Sequence, residues 1–158
     1  MAIKYIDGDY IEISLDWKFP IRWTNNSKIV LGEEAYCNYG MYRFERSHRL
    51  KNGPRELTYV GLAFRQHIGK RIEQHQGDKL QRWKRHCELW ISYAPLETDC
   101  RHIKARYEEV EHLLIYIGKP IEARKKLKSL PRGRLRIENT GWRGALPKEI
   151  VYPVALVK

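Results

Sequence analysis

The chain has 158 residues, 42% of them hydrophobic, which suits one folded domain with a single core and argues against extensive disorder. Its formal net charge of +11 favours a polyanionic partner, nucleic acid before an anionic membrane surface or a merely solvated basic surface. We expect neither a membrane span nor a signal peptide, because no apolar run approaches ~20 residues and the first residues lack a basic start before an apolar block. Three widely spaced cysteines argue against a disulfide framework and for a reducing cytoplasm.

The first elements read as β-structure. Residues 1–17 predict a hairpin, because Ile11, Ile13 and Leu15 alternate with polar residues after the turn Asp7-Gly8-Asp9. Phe19-Pro20 ends that pattern, and residues 21–38 show no clear period. Two further strands, 39–45 and 57–61, flank a turn at 51–54 and are expected to pair antiparallel.

Helices follow in the second half of the chain. Phe64, Ile68 and Ile72 recur every four residues and predict a helix over 64–76, stopped at Gly77. A short helix over 78–86 and a third strand over 89–93 come next.

A longer helix should begin at a cap on Thr98 or Asp99 and end at Gly118-Lys119-Pro120. Its buried stripe is predicted to be Ile103, Tyr107, Val110, Leu114 and Ile117. The last predicted elements are a basic helix over 121–130 and a strand over 150–157.

These elements predict an α/β fold of the α+β kind, with a small, mostly antiparallel central sheet flanked by helices and an added N-terminal hairpin. The whole chain, 1–158, is expected to be one domain. Within it we distinguish an accessory hairpin region (1–38), a core (39–130) and a basic C-terminal extension (131–158). Residues 119–148 hold ten Lys or Arg against two Glu, a local surplus of +8.

Five motifs or residues with chemically active side chains follow one another along the chain. They are Gly40-Met41-Tyr42, Tyr59-Val60-Gly61, Arg71, His75 and Glu111. The set resembles the GIY-YIG nuclease superfamily, which includes the N-terminal domain of the excision-repair incision nuclease and some homing and restriction endonucleases. The resemblance covers about residues 39–130 and implies a GIY-YIG-like fold with metal-dependent cleavage of phosphodiesters.

The resemblance also implies roles for these side chains. Tyr42 would orient or deprotonate the attacking water, Tyr59 would contact the phosphate, and His75 would lie near the scissile bond. Glu111 would be the metal ligand, and one carboxylate with waters suits Mg²⁺, or Mn²⁺ in its place. Arg71 can hold a phosphate through two parallel hydrogen bonds, which a lysine cannot match.

Two departures from the family pattern concern the site. The interval from Tyr59 to Arg71 is slightly long, so Arg65 competes with Arg71 for the same role. The usual Asn after the Pro is replaced by Ala123, and either Arg124 or Asn139 could contact a phosphate in its place. Loss of activity is the other interpretation of that replacement.

The remaining candidates are polar residues expected to contact nucleic acid. They are Arg65, His67, Lys70, Arg124, Lys125, Lys126, Lys128, Arg132, Arg134, Asn139 and Arg143.

The sequence therefore predicts a cytoplasmic GIY-YIG-type endonuclease acting on DNA, with RNA left open and no membrane partner. The N-terminal region could extend the sheet, bind a partner or form a homodimer. The main alternative is a non-catalytic nucleic-acid-binding protein on the same scaffold, and a third is a basic interaction protein of unrelated fold.

Overall fold

The computed structural model describes residues 3–6, 10–23, 29–48, 55–75, 87–96, 104–120 and 134–152. Within these ranges the chain forms a mixed, mostly antiparallel α+β fold. The strands are β1 Ile3–Ile6, β2 Tyr10–Trp17, β3 Ile21–Trp23, β4 Gly40–His48, β5 Glu56–Ala63, β6 Cys87–Pro95, β7 Leu135–Gly141 and β8 Glu149–Tyr152. The helices are α1 Glu33–Cys37, α2 Ile68–Gln74 and α3 Lys104–Gly118.

The strands form two four-stranded sheets. Sheet A has the order β1-β2-β7-β8, and sheet B has the order β3-β6-β4-β5. The predicted N-terminal hairpin is confirmed, because β1 pairs antiparallel with β2. The hairpin then continues into the C-terminal strands, because β2 lies parallel to β7 with Ile11 opposite Leu135 and Trp17 opposite Gly141.

The expectation of one central sheet with an added hairpin was therefore wrong. The hairpin is half of sheet A, and its other half comes from a segment that we had interpreted as a basic extension. A signal for β7 was present, because Leu135 and Ile137 alternate with Arg136 and Glu138, and both apolar residues are buried. No local pattern in the sequence indicated that β7 would pair with β2, because the two strands are far apart in the chain.

Sheet B contains the predicted antiparallel strand pair. Strand β4 lies between β5 and β6, and Tyr42 is opposite both Gly61 and Tyr93. Strand β5 is at the edge of the sheet. This register brings the two Gly/Tyr motifs side by side, as predicted, although both strands extend beyond the predicted limits.

Each face of sheet B packs into its own hydrophobic cluster. On one face, Met41 and Val60 pack with the α3 residues Val110 and Leu114 and with sheet A. On the other face, Tyr42, Phe44 and Ile91 pack with Ile68 and Ile72 of α2. Consecutive residues of β4 therefore point into different clusters, as the alternation of a strand requires.

Helix α2 begins at Ile68 rather than at the predicted residue 64. His67 has extended backbone angles and precedes the helix. The ring of Phe64 lies 6.1 Å from the ring of Tyr107 on α3 and 6.2 Å from that of Tyr39. Phe64 thus belongs to the connection after β5, and its spacing from Ile68 coincided with a helical period.

Helix α3 has the predicted buried stripe in Tyr107, Val110 and Leu114, whereas Ile117 is only half-buried. It ends at Gly118, and Lys119 follows with a φ of +43°, a left-handed conformation typical of a helix end. In the part of the chain described here, no helix is long and apolar enough to cross a membrane.

Several predictions fall outside the described residues. They are the turns at 7–9 and 51–54, the stop at Gly77, the helices at 78–86 and 121–130, the cap at 98–99, Ile103 and the strand residues 153–157.

A buried ion pair links sheet B to sheet A. The Arg43 Nε lies 3.3 Å from Glu45 Oε1, and both side chains are nearly inaccessible to solvent. The guanidinium stacks 4.6 Å above the Trp17 ring and donates to the carbonyl oxygens of Trp142 and Arg143. Burial lowers the pKa of Arg43 to about 10, although Glu45 acts in the opposite direction. The charge is therefore retained at neutral pH.

We expect Glu45→Ala to lower the free energy of unfolding by about 3–5 kcal/mol, because it leaves a buried guanidinium without its counter-charge. Glu56→Ala is the matched control, since it removes an exposed partner of Arg46 at the same 3.3 Å separation and should cost about 0–1 kcal/mol. Urea denaturation at neutral pH measures both. Equal losses would mean that burial adds nothing to the Arg43–Glu45 interaction.

Candidate nuclease site at the edge of sheet B

The Tyr42 side chain lies across Gly61 of the neighbouring strand β5, at the edge of sheet B. Gly61 is opposite Tyr42 in the register, and a Cβ at Gly61 would overlap the Tyr42 hydroxyl and the Tyr59 ring. Only the absence of a side chain at Gly61 lets the phenol cover that position. The Gly of the second Gly/Tyr motif thus has a packing reason that involves both tyrosines.

His75 brings a third polar aromatic side chain to the same place. It directly follows α2, and its Nε2 lies 2.7 Å from the Tyr42 hydroxyl. The His75 ring centroid is 5.1 Å from that of Tyr59, which is itself 6.0 Å from that of Tyr42. The two phenols and the imidazole predicted from the sequence therefore form one cluster.

The Tyr42 phenol is fully buried within this cluster. Burial raises its pKa well above the ordinary value, Tyr59 adds to the increase, and the nearby Arg71 guanidinium acts in the opposite direction. Tyr42 therefore keeps its proton at neutral pH and can donate it in a hydrogen bond when Nε2 of His75 carries no proton. Ionisation of Tyr42 as a free phenolate is disfavoured.

Arg71 lies in the middle of α2, between the phenol cluster and a cleft. Its influence on Tyr42 shows that the guanidinium is close to the phenol. The guanidinium also donates from Nη1 to Gln74 Oε1 at 3.1 Å. Arg71 and Arg65 both line a cleft of about 220 Å³ beside the end of β5. The two arginines that competed for one role thus border the same space.

Glu111 enters this cleft from α3. Its side chain is 3% exposed, and Oε1 accepts a hydrogen bond of 3.0 Å from the backbone N–H of Leu62. Strand β5 is an edge strand, so backbone groups on its outer side are available to partners other than a strand. That hydrogen bond fixes the position of the carboxylate beside Leu62 of β5.

The phenol cluster and the carboxylate meet at consecutive residues. The Tyr42 hydroxyl lies over Gly61, and Glu111 is bound to the amide of Leu62. The phenols approach from the α2 face of sheet B and the carboxylate from the α3 face, and Arg71 lines the same cleft as Glu111. Tyr42, Tyr59 and His75 thus form one cluster over the end of β5, whereas Arg71 and Glu111 line the adjoining cleft.

Glu108 is a cleft residue that we had not assigned to the site. It lines the cleft together with Glu111, three positions further along α3. The next residue, Glu109, does not line the cleft and is paired with Arg106 at 2.8 Å. The sequence did contain a signal for Glu108, because residues three positions apart lie on one face of a helix and Glu111 was already a candidate.

The predicted nucleic-acid contacts have varied surroundings. His67 is exposed, and its ring packs 5.4 Å from that of Tyr39, outside the cleft lining. Lys70, Arg134 and Arg143 are exposed. The other basic candidates lie outside the described residues: Arg124, Lys125, Lys126, Lys128 and Arg132.

Asn139 was wrongly assigned to phosphate binding. Its side chain is 1% exposed, its Oδ1 accepts from Trp17 Nε1 at 2.9 Å, and its Nδ2 donates to the Pro147 carbonyl at 2.8 Å. Both ends of the amide are occupied inside sheet A. Asn139 is therefore a structural residue that ties β7 to β2 and to the segment before β8.

The acidic residues of the cleft suit a hard divalent cation. Among the described residues no three His, Cys, Asp or Glu side chains cluster as a ready-made metal site. Mg²⁺ commonly uses only one or two carboxylates and completes its coordination with water and substrate oxygens. Glu111 and Glu108, on one face of α3 and in the same cleft, provide such a donor set.

No protein-family model matches this chain, and neither a curated protein nor a solved structure gives a significant match. The resemblance to GIY-YIG nucleases therefore depends on the sequence motifs and on the contacts described above.

The raised pKa of Tyr42 predicts a specific loss of stability in alkali. Because the folded pKa exceeds the unfolded value of ~10, protonated Tyr42 stabilises the fold below that pH, and this contribution is lost as the pH rises above it. Wild type should lose stability faster than Tyr42→Phe above pH ~10. Urea unfolding between about pH 8 and 11 measures this, with Tyr116→Phe, an exposed tyrosine, as control. Parallel profiles for wild type and Tyr42→Phe would contradict the burial argument.

Proposed function

We propose that this protein is a metal-dependent endonuclease of the GIY-YIG type that hydrolyses phosphodiester bonds in DNA. The observation that supports it best is that the Tyr42 hydroxyl lies over Gly61 while the Glu111 carboxylate accepts from the amide of the next residue, Leu62. Residues on three separate elements, β4, α2 and α3, contribute to this one location. Chemistry on a phosphodiester needs these groups together, whereas a stable core does not.

Arg71 is proposed to bind the scissile phosphate. A guanidinium can donate two parallel hydrogen bonds to phosphoryl oxygens and stabilise the charge that develops on them. Arg65 lines the same cleft and can hold a neighbouring phosphate. The net charge of +11 would attract the polyanion to this cleft.

Glu111, with Glu108, is proposed to hold Mg²⁺ or Mn²⁺. When bound, such an ion acts as a Lewis acid on a phosphoryl oxygen and lowers the pKa of a coordinated water. The Leu62 amide orients the Glu111 carboxylate for this task. Hydrogen bonds of this kind position metal-binding carboxylates in other proteins.

The tyrosines and His75 are proposed to accept or transfer the proton of the attacking water. In hydrolysis a water oxygen bonds to phosphorus, the bond to the leaving oxygen breaks, and the water proton must pass to a base. Burial makes Tyr42 a poor free phenolate, so a transfer through Tyr42 would have to give its own proton to His75 Nε2 in the same step. Tyr42 is then proposed to act as a positioning and relay group, and half-buried Tyr59 is proposed to contact the phosphate.

A non-catalytic nucleic-acid-binding protein is the second candidate function. Two observations favour it: Tyr42 is fully buried, and Ala123 stands where the family usually has Asn. Cleavage assays separate the two candidates, because both predict binding and only the first predicts a metal-dependent product.

Glu111→Gln is expected to abolish nicking of supercoiled plasmid in Mg²⁺ while leaving DNA binding largely intact. A glutamine oxygen can still accept from the Leu62 amide, so the fold is preserved, but the anionic metal ligand is lost. Glu109→Gln is the control on the same helix, outside the cleft, and should nick like wild type. Equal nicking by wild type and Glu111→Gln would refute the role of Glu111. No nicking by wild type in Mg²⁺ or Mn²⁺, with DNA binding intact, would favour the second candidate function.

Arg71→Lys is expected to reduce the nicking rate by roughly 10²-fold, because a lysine keeps the charge but loses the paired donors. Arg22→Lys is the matched control, since Arg22 is an exposed arginine paired with Glu88 on sheet B. Single-turnover rates at saturating enzyme measure the effect on the chemical step. An unchanged rate for Arg71→Lys, with Arg65→Lys slow, would transfer the role to Arg65.

A further inference from the structure

Two large aromatic side chains are exposed side by side at one end of sheet A. Phe19 is 62% exposed and Trp142 is 55% exposed, and their rings meet edge to face with centroids 4.7 Å apart. They come together because β2 and β7 are parallel and end at the same level, with Trp17 opposite Gly141. Each aromatic residue follows the end of its strand.

The backbone around Trp142 is held from both sides. The Trp142 N–H donates to the Trp17 carbonyl at 2.9 Å, and the Trp142 carbonyl accepts from buried Arg43. Gly141 and Gly144 have φ angles of +63° and +57°, and a Cβ at Gly144 would overlap Glu45. The turn at 141–146 is therefore tightly constrained, with Leu146 buried in the core and Trp142 and Arg143 exposed.

The buried ion pair is directed at this turn. Arg43 donates to two successive carbonyls of the turn, and Glu45 accepts from the Ala145 N–H at 3.1 Å. Burying an ion pair commonly contributes little to stability compared with apolar packing, and its best-attested use is to specify one conformation. Here the conformation that it specifies is the one that presents the Trp142 indole to solvent.

We propose that Trp142 and Phe19, here called the aromatic platform, stack on an unpaired base of a single-stranded or locally opened polynucleotide. An aromatic ring stacks on any nucleobase, and a ring held rigidly loses little conformational entropy on binding. This inference rests on the proposed function only for the class of ligand, a polynucleotide.

The charges around the platform fit a polynucleotide. Arg143 follows Trp142 directly, is exposed, and has its Nη1 oriented by the Leu146 carbonyl at 2.6 Å. The nearby acids Asp16 and Glu34 lie 3.3 Å and 3.8 Å from Lys18, whose single positive charge offsets one of the two negative charges. A guanidinium beside a stacked base is in reach of the adjoining phosphate, and the net charge of +11 favours the same ligand.

Binding of a fluorescein-labelled oligodeoxythymidine of about a dozen nucleotides, followed by anisotropy in EDTA, tests the platform. Trp142→Ala should weaken this binding about tenfold, Phe19→Ala several-fold, and Trp142→Phe less than Trp142→Ala because it retains a ring. Binding of a duplex of the same length should change by less than about twofold. Tyr116→Ala removes an equally exposed aromatic side chain from α3 and should leave both affinities unchanged.

Thermal unfolding first establishes that each variant is folded. If Trp142→Ala does not fold, Phe19→Ala becomes the variant that tests the platform. Unchanged oligothymidine binding by the folded variants, an equal loss for single strand and duplex, or no oligothymidine binding by wild type would each overturn the proposal. A loss of dimer on sedimentation of Trp142→Ala would instead identify the platform as a contact between copies of the chain. The binding assay in EDTA does not depend on cleavage, so it remains valid if the nuclease proposal fails. If wild type nicks DNA but Trp142→Ala binds the oligothymidine as wild type does, only the platform proposal is refuted.

Discussion

The structure depends on the central position of β4 and on the buried Arg43–Glu45 ion pair that this strand carries. Arg43 connects sheet B to Trp17 of sheet A and to the turn after β7, so two sheets from distant segments are held in one orientation. Tyr42, the preceding residue, points to the opposite face and into the phenol cluster. One strand thus supports both the packing of the sheets and the candidate site, because its side chains alternate between faces.

The candidate site is built around the end of an edge strand. An edge leaves backbone amides without a neighbouring strand, and here Glu111 accepts from one of them. It also lets groups from both faces of the sheet approach each other, which a central strand would prevent. The arrangement has a consequence for the chemistry: Tyr42 is buried deeply enough to hold its proton, so any role in catalysis passes through His75 or Tyr59.

Charged and aromatic residues support the proposed nucleic-acid partner in two separate regions. The cleft presents Arg65 and Arg71, and the turn beyond β7 presents Trp142 with Arg143. These two regions lie on different sheets that share the Arg43 link, since Arg43 is held on β4 and binds the turn through its carbonyls. The ion pair therefore couples the geometry of the proposed platform to the strand that carries Tyr42.

Features that depend on neighbours in the chain could be predicted from the sequence. Alternation and turn residues identified the first hairpin and the β4–β5 pair, a period of 3.6 identified α3, and motif order selected Tyr42, Tyr59, Arg71, His75 and Glu111. Four features became visible only in the folded structure: the pairing of β2 with β7, the burial of Asn139, the later start of α2 and the place of Glu108 in the cleft. Each of these depends on contacts between residues distant in the chain, which local pattern cannot encode because the energy of packing is set by partners brought together on folding.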